Sequence, residues 1–462
     1  MRQLKLSAWL CGGTVRDLLL GRPFHDVDVV LSDRVFEAAN LLRTKLNAAS
    51  FVLDSERHVA RVVFGQGNWD ITGFRDSTIE GDLRKRDFTI NALAVPWNHF
   101  FPSRSLSPVV DLFGGLADLE ARNIRAVTGE SLTDDPLRML RAFRIHAELH
   151  FAIAPSVLQQ IEEAHGGIRH VAGERIRDEL DRIFLQPDSA SAWRMLGRTS
   201  LFDSLFPEMS AMKGCQQGGY HHLDVWEHSV AALENIERLL LSLAGVFPDQ
   251  APSLMQYLTA APGNLHRTVL LKWAAVLHDI GKPKTRELRE PGRWRFHGHD
   301  HAGTDLAEGL LSRLKLSRKD TQIVTAMIEH HLRPLNLFNQ PEQEENSFYR
   351  FFRAAGAEAL GVLLLAVGDL AAARGPLADP ARDAQFIVLI RRMLDYYYGE
   401  FYPAISTPEL VKGRDLMAFL QMKPGPLMGE LLKEIRESQL TGQLRTREDA
   451  LDFARGWLKN KE

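Results

Sequence analysis

Two carboxylates at alternate positions, Asp26 and Asp28, follow closely on Gly12-Gly13-Thr14-Val15-Arg16-Asp17. On a strand, side chains at i and i+2 point the same way, so this pair converges on one face. Like charges held that close repel unless cations sit between them. Hard divalent metals with oxygen ligands, magnesium first among them, suit such a pair. Gly12 and Gly13 let a backbone turn approach a triphosphate, and Arg16 can pair with its oxygens. A lone Asp-x-Asp is commonly a solvated strand end. Joined to the glycines and the Arg-Asp step, it becomes equipment for metal-assisted nucleotidyl transfer.

Arg84-Lys85-Arg86-Asp87-Phe88-Thr89-Ile90-Asn91 forms a second cluster. Its cations suit phosphate, and Asp87 with Asn91 suits sugar hydroxyls. Asp70, in Trp69-Asp70-Ile71, is a candidate third carboxylate beside the Asp pair. Asp111-Leu112-Phe113-Gly114-Gly115 reads first as a tight turn. Asp134-Asp135-Pro136-Leu137-Arg138 comes next and continues through Arg141 and Arg144. Asp135 and Arg138 are three apart and share a face if both are helical. Such a pair is usually an intrahelical salt bridge. It is also a hydrogen-bond template: Asp accepts from an exocyclic amino group while Arg donates to the neighbouring ring acceptor. Cytosine and adenine offer that pattern; guanine and uracil do not.

A separate constellation lies further on. His228 is followed by the adjacent His278-Asp279 and then by Asp369. These residue types form a ligand set for a divalent transition metal. His299, His330 and His331 can add a second metal ligand or phosphate contacts.

The elements that must position these groups fall into two styles. Up to about residue 125, strands are expected at 26–31, 59–65, 69–74 and 108–111, with the apolar N-terminal stretch as a first strand. Helices are expected at 15–20 and 33–46. Beyond about 126 the apolar spacing is helical almost throughout. Helix starts are expected at Thr133-Asp134-Asp135-Pro136 and at Gly173-Glu174. The domain expectation is a head at 1–125, a helical neck at 126–200, a His/Asp domain at 201–385 and a helical tail at 386–462. The chain carries 25% charged residues and a net charge of −3, so any nucleic-acid contact must come from local patches. Cys11 and Cys215 form no metal-ligand spacing and no disulfide framework. Without a signal peptide or a run of about 18 apolar residues, the expectation is a cytoplasmic protein that meets no membrane. Oligomeric state is left open.

In this order the clusters resemble the class II tRNA nucleotidyltransferases, the CCA-adding enzymes, and their bacterial poly(A) polymerase relatives. The matching stretches are residues 12–28, 86–92, 111–115, 134–138 and Glu174-Arg175-Ile176-Arg177-Asp178-Glu179. The resemblance implies a polymerase β-type α+β head, a mostly α-helical elongated body, and tRNA, CTP and ATP as partners. It implies metal binding by Asp26 and Asp28, and nucleotide contacts by Gly13, Arg16, Arg86, Asp87 and Asn91. It implies base recognition by Asp135 and Arg138, with Arg141 and Arg144 beside them, and a helix-stabilising role around Arg175 and Glu179. His228, His278, Asp279 and Asp369 resemble the HD phosphohydrolase ligands, which implies a second, metal-dependent hydrolytic activity. The tail, with Val411-Lys412-Gly413-Arg414-Asp415 and Pro424-Gly425-Pro426, is similar to that of HD-bearing members and implies a tRNA contact. Two alternatives stand beside this reading: a poly(A) polymerase, and an HD phosphohydrolase whose head binds nucleotide without polymerising.

Three departures from the family pattern matter. Asp134 stands where the family has Glu, and Leu112 where proline is common. Only ten residues, 76–85, separate Arg75 from Arg86, so the family's flexible loop is missing. That absence resembles enzymes that add CC without the terminal A, while A-only addition stays open.

Overall fold

A computed structural model describes every residue except 1–5, 25, 66, 101–105, 219–221, 291–292, 341–344, 375–378, 407, 441–442 and 460–462. The head is built on seven strands: β1 (Ala8–Cys11), β2 (Asp26–Leu31), β3 (Ala49–Asp54), β4 (Val59–Phe64), β5 (Gly67–Gly73), β6 (Leu93–Pro96) and β7 (Val110–Asp111). Their order in the sheet is β3-β4-β5-β2-β1-β6-β7. Only β2 and β5 run parallel, and their register sets Asp28 opposite Asp70 and Asp26 opposite Asn68. Helix α1 (Gly12–Leu19) starts directly off β1. Helix α2 (Val35–Leu46) covers the sheet through Val35, Ala38 and Ala39.

The expected strands at 26–31 and 59–65 form, while the third covers Gly67–Gly73 and the fourth shrinks to Val110–Asp111. Helix α1 begins three residues before expectation. Two strands gave no sequence expectation. β3 is an edge strand with Phe51, Val52 and Leu53 all exposed, so it shows no in–out alternation. β6 is short and almost wholly buried, so it shows none either.

The rest of the described chain is helical apart from short strand pairs. A neck helix, Leu137–Leu149, buries Leu137, Leu140, Ile145 and Leu149, the stripe its spacing implies. A bracing helix, Gly173–Phe184, packs across it and also touches the helix Arg267–Leu277. The central pair of the following body is Val225–Leu241 against Ala359–Arg374. Against the expectation of no span-like run, the stretch Glu345–Ala373 is long and apolar enough to cross a membrane by composition, with mean hydropathy 1.7. Its apolar window is 67% buried, and packing inside the body accounts for its character. The tail forms its own small core around Val411, Leu416, Leu431 and Ile435.

Candidate functional site

A cleft of about 1370 Å³ opens between the sheet and the neck. Its lining includes Gly13, Arg16, Asp26, Asp28, Asp70, Arg86, Asp87, Asn91, Asp135, Arg138, Arg141 and Arg144. Every candidate residue of the first constellation therefore reaches one space. Gly12 has φ +68°, a conformation that favours glycine, and a Cβ there would lie 2.8 Å from Asp28 Oδ2 and 2.9 Å from Arg86 Nη1. The glycine lets the backbone pass close to both the Asp28 carboxylate and the Arg86 guanidinium.

The carboxylates differ in their surroundings. Asp26 accepts from Asn68 Nδ2 at 3.0 Å. Asp70 is bound in a bidentate pair by Arg61, at 2.7 Å on each oxygen. Asp28 accepts from no guanidinium among the described bonds; burial raises its pKa, Arg86 opposes the shift, and Asp70 and Asp26 add to it. Asp26 and Asp28 offer the oxygen-only chemistry that fits a hard divalent cation, while both oxygens of Asp70 are already taken by Arg61.

Around them runs a closed ring of polar contacts. Arg16 Nη1 donates to Asn91 Oδ1 at 3.1 Å, and Asn91 Nδ2 donates to Asp87 Oδ1 at 3.1 Å. Asp87 Oδ2 accepts from Arg141 at 3.0 Å, and Arg141 reaches Glu179 at 3.2 Å. Glu179 also accepts from Arg144 at 2.6 Å, Arg144 donates to Glu148 at 3.0 Å, and Glu148 accepts from Arg16 at 2.9 Å. The ring ties the head to the neck and to the bracing helix. Burial pushes the Asp87 carboxyl up, but Arg141, the Phe88 amide and Asn91 together hold it well below the usual carboxylate range. Arg16 also chelates Asp17, so its guanidinium is largely committed.

The base-reading pair is arranged differently from expectation. Asp135 is in an extended conformation before the helix, not on its first turn. Among the described contacts its carboxylate does not pair with the Arg138 guanidinium; the two residues meet only through the backbone, Arg138 N donating to Asp135 O at 2.9 Å. Asp135 Oδ1 accepts from the Leu137 amide at 3.2 Å, and Oδ2 accepts from Arg175 at 2.9 Å. Pro136 disfavours a helical conformation in the residue before it, which accounts for the displacement. Arg138 donates to three backbone carbonyls: Ser131 at 2.9 Å, Arg86 at 3.3 Å and Lys85 at 2.6 Å. Asp111 has the turn role read from its glycines. Its oxygens accept from the Phe113, Gly115 and Leu116 amides, and a Cβ on Gly115 would lie 2.3 Å from Thr89 O.

The second constellation is a buried centre. His228 Nε2 lies 2.9 Å from Asp369 Oδ1 and 3.5 Å from Asp279 Oδ2, and His278 Nε2 lies 3.2 Å from that Asp279 oxygen. Asp279 Oδ1 faces His299 Nε2 at 3.3 Å and His331 Nε2 at 3.9 Å. Asp279 thus stands between two donor sets: His228, His278 and Asp369 on one side, His299 and His331 on the other. Three imidazoles are oriented alike. Nδ1 of His278, His299 and His331 donates to the carbonyl three residues back: Ala275, Phe296 and Ile328, at 2.8, 2.8 and 2.6 Å. A carbonyl only accepts, so Nδ1 carries the proton and a neutral ring offers the Nε2 lone pair inward. That donor chemistry fits borderline transition metals. His330 belongs to neither donor set, and its Nε2 bonds the Ala354 carbonyl at 3.0 Å. Lys282 Nζ lies 2.6 Å from Asp279 Oδ2 and donates to Gln217 at 2.6 Å.

Sequence reading missed Arg61, Asp82, Glu148 and Lys282. Asp82 and Arg86, like Arg144 and Glu148, are i,i+4 charge pairs, and that spacing was the available signal.

Family models match nearly the whole described architecture. The poly(A) polymerase head domain matches residues 8–125, and the RNA and SrmB binding site of polymerase A matches 150–213. The HD domain matches 225–356, and a tRNA nucleotidyltransferase domain 2 matches 384–454. The chain is 34% identical to the A-adding tRNA nucleotidyltransferase of Deinococcus radiodurans, covering 98% of this chain and 95% of the relative. It is 31% identical to the CC-adding tRNA nucleotidyltransferase of Thermus thermophilus, covering 99% and 95%. A CCA-adding enzyme solved with ATP superposes with a TM-score of 0.61 at 21% identity, covering 99% of this chain and 92% of that one, which shows the shared fold.

Proposed function

The chain belongs to the class II tRNA nucleotidyltransferases with an HD domain, and from that premise we propose that its head adds cytidylate to the 3′ end of tRNA. The tRNA 3′ hydroxyl attacks the α-phosphorus of CTP, the bond to the β-phosphate breaks, and pyrophosphate leaves. Asp26 and Asp28 would hold magnesium, which supplies charge neutralisation on the triphosphate and activates the hydroxyl. Arg86 would meet the phosphates, Asp87 and Asn91 the sugar, and Asp135 with Arg138 the base.

Relatives of this chain carry both A-adding and CC-adding names, so base choice must be argued from its own residues. The observation that carries the proposal is the clamp on Arg138. Its guanidinium is held by Lys85 O and Arg86 O, at the end of the short 76–85 connection. A reading arm anchored to a closed connection reads one base well and does not switch to the next. Two substrates test this: tRNA ending before CCA and tRNA ending in CC, each with CTP, ATP or both. CC without the terminal A is the expected product. Efficient complete CCA on the first substrate, or A addition alone on the second, would reject it.

The buried centre favours a second activity. We propose that the HD domain hydrolyses phosphate esters, with His228, His278 and Asp369 holding one divalent transition metal and His299 and His331 a second. Asp279, with one oxygen towards each set, would join them. Bound metal would polarise the phosphate and generate hydroxide from water. Metal content is expected at two equivalents per chain, falling to one in His299→Ala and His331→Ala. One equivalent in the unmodified chain would reject the second set. Hydrolysis of a 2′,3′-cyclic phosphate or a phosphomonoester by the reconstituted chain is the activity check.

A further inference from the structure

The connection between β5 and Arg86 contains more fixed structure than its length requires. Its second half is the helix α3, Ile79–Arg84, capped by Thr78, whose Oγ1 accepts from the Gly81 amide at 3.1 Å. Its two ends are laced together. Lys85 Nζ donates to Arg75 O at 2.8 Å, and Arg75 Nη1 donates to Lys85 O at 3.3 Å. Asp82 sits inside the turn with its side chain 1% exposed. Its Oδ1 accepts from the Arg75 amide at 3.2 Å. Its Oδ2 accepts from Arg86 Nε at 3.2 Å and Nη2 at 3.1 Å. A single buried carboxylate therefore fixes both ends of the connection.

Those ends meet the two halves of the cleft. Arg86 stands beside Asp28 across Gly12. The carbonyls of Lys85 and Arg86 are acceptors for Arg138, and Lys85 O takes Arg75 and Arg138 together. A guanidinium donates in fixed directions, so where its acceptors lie decides where its remaining N–H groups point. Those acceptors lie on backbone that Asp82 holds.

We infer that Asp82 is a positioning residue for base choice: by fixing Arg75, Arg86 and the Lys85–Arg86 carbonyls, it holds Arg138 in one reading geometry. Asp82 does not line the cleft, whereas Arg75, Lys85 and Arg86 do. It couples the cation beside Asp28 to the arm that reads the base. This rests on the proposed reading role of Arg138.

The test is Asp82→Asn in the full chain. Asparagine keeps the size but presents a donor where Arg86 or the Arg75 amide also donates, so one contact is lost and the carbonyls are released. Specificity is measured as the ratio of kcat/KM for CTP to that for ATP on tRNA ending before CCA, with thermal stability followed in parallel. The expected result is a drop in the ratio of about tenfold, the scale of a displaced hydrogen-bonded pair. Arg75→Ala removes the second grip on Lys85 O and the 4.0 Å ion pair with Asp82, but keeps the Arg75 amide that the carboxylate accepts from. It should lower the ratio in the same direction by a smaller factor, and it decides the question if Asp82→Asn fails to fold. An unchanged ratio in folded Asp82→Asn, or in Arg75→Ala where Asp82→Asn does not fold, overturns the inference when Arg138→Ala relaxes the ratio. An unchanged ratio in Arg138→Ala would instead overturn the base-reading role itself, and this inference with it.

Discussion

The head cleft and the HD centre solve opposite problems with similar residue types. The cleft is wide, and Arg16, Arg61, Arg86, Arg141 and Arg144 are already matched by Asp17, Asp70, Asp82, Asp87, Glu148 and Glu179. Charge balance there comes before any nucleotide, so a polyanion enters a preset lattice of guanidinium and carboxylate groups. The HD centre is closed, with His228, His278 and Asp279 at most 1% exposed in their side chains. Its imidazoles are set by backbone carbonyls, and its lone pairs converge on space that only a cation suits. Burial would lower the His278 pKa, but the Asp279 and Asp369 carboxylates beside it raise it. The comparison teaches that the cleft is built to exchange its contents and the centre to keep them.

The sharpest way to break this comparison is to empty one site and watch the other. Asp26→Ala or Asp28→Ala should reduce nucleotide addition by at least about a thousandfold, the loss of metal-assisted charge stabilisation, and leave phosphate-ester hydrolysis unchanged. The double variant His278→Ala with Asp279→Ala should do the reverse. Nucleotide addition and hydrolysis measured on each protein decide it. Addition above a few per cent in either aspartate variant, or loss of both activities together, would mean that the sites are not independent.

A smaller effect is expected from the ring that joins head to neck. Glu179 is buried and receives both Arg141 and Arg144. Glu179→Gln keeps the shape but leaves two guanidinium groups short of their counter-charge. Breaking a buried pair from one side costs about 3–5 kcal/mol, less where the arginines remain partly wet. We expect a raised KM for CTP, a drop of roughly tenfold or more in kcat/KM, and a lower Tm, with the metal content of the HD centre unchanged. Steady-state kinetics and metal analysis on the same preparation test it. Loss of bound metal would show that the ring supports both regions.

Base selection is the next scale down. Asp135→Ala or Arg138→Ala should relax discrimination by about 1–3 kcal/mol while lowering chemistry less. Incorporation of GTP and UTP relative to CTP and ATP is the measurement. Unchanged selectivity in a folded variant would reduce Arg138 to a staple for the Lys85 and Arg86 carbonyls.

These sites differ in how far the sequence exposes them. The head's key groups lie on short strand–turn–helix runs, where spacing alone places them: Asp26 and Asp28 share a face of β2, and Gly12 precedes α1. The four HD ligands are separated by long stretches, yet the adjacent His278-Asp279 step and the chain order were enough to group them. What spacing could not resolve was rotation about a helix end. His330 closes the helix Arg318–His330 and turns to a carbonyl, whereas His331 turns inward, and neighbouring residues of one type look alike in sequence. Asp135 misled for a related reason, since helical spacing was assumed from a residue two positions before the helix begins at Leu137. Asp82 and Glu148 showed only their i,i+4 spacing, and an acid four residues from an arginine is common on any solvated helix. Burial separates Asp82 from that background, and the contact with Arg16 separates half-buried Glu148.

The bracing helix lets the comparison be tested at its seam. It carries Glu179 towards the cleft and Asp181 towards the HD body, where Trp273 Nε1 donates to Asp181 Oδ1 at 3.0 Å. Trp273 lies on the helix that ends at His278. Glu179 is matched by two arginines. Asp181 has Arg177 at 3.8 Å and is 9% exposed in its side chain. Burial raises its pKa to about 6, against the opposing effect of the Trp273 N–H and Arg177. The folded chain therefore holds this proton more tightly than the unfolded chain, whose group titrates near 3.8. Stability from this group is fully present below that value and is lost as pH rises to about 6, by up to about 3 kcal/mol. Asp181→Asn keeps an acceptor for Trp273 and removes the charge. The variant should exceed the parent in stability by about 1–2 kcal/mol at pH 7, less than the full shift because the Arg177 contact is lost, and the gain should vanish or reverse near pH 4. Denaturant unfolding of both proteins at the two pH values measures the difference. A variant less stable at pH 7 than at pH 4, relative to the parent, would mean that Asp181 is a compensated ion pair like Glu179, and that the two faces of the bracing helix follow one rule.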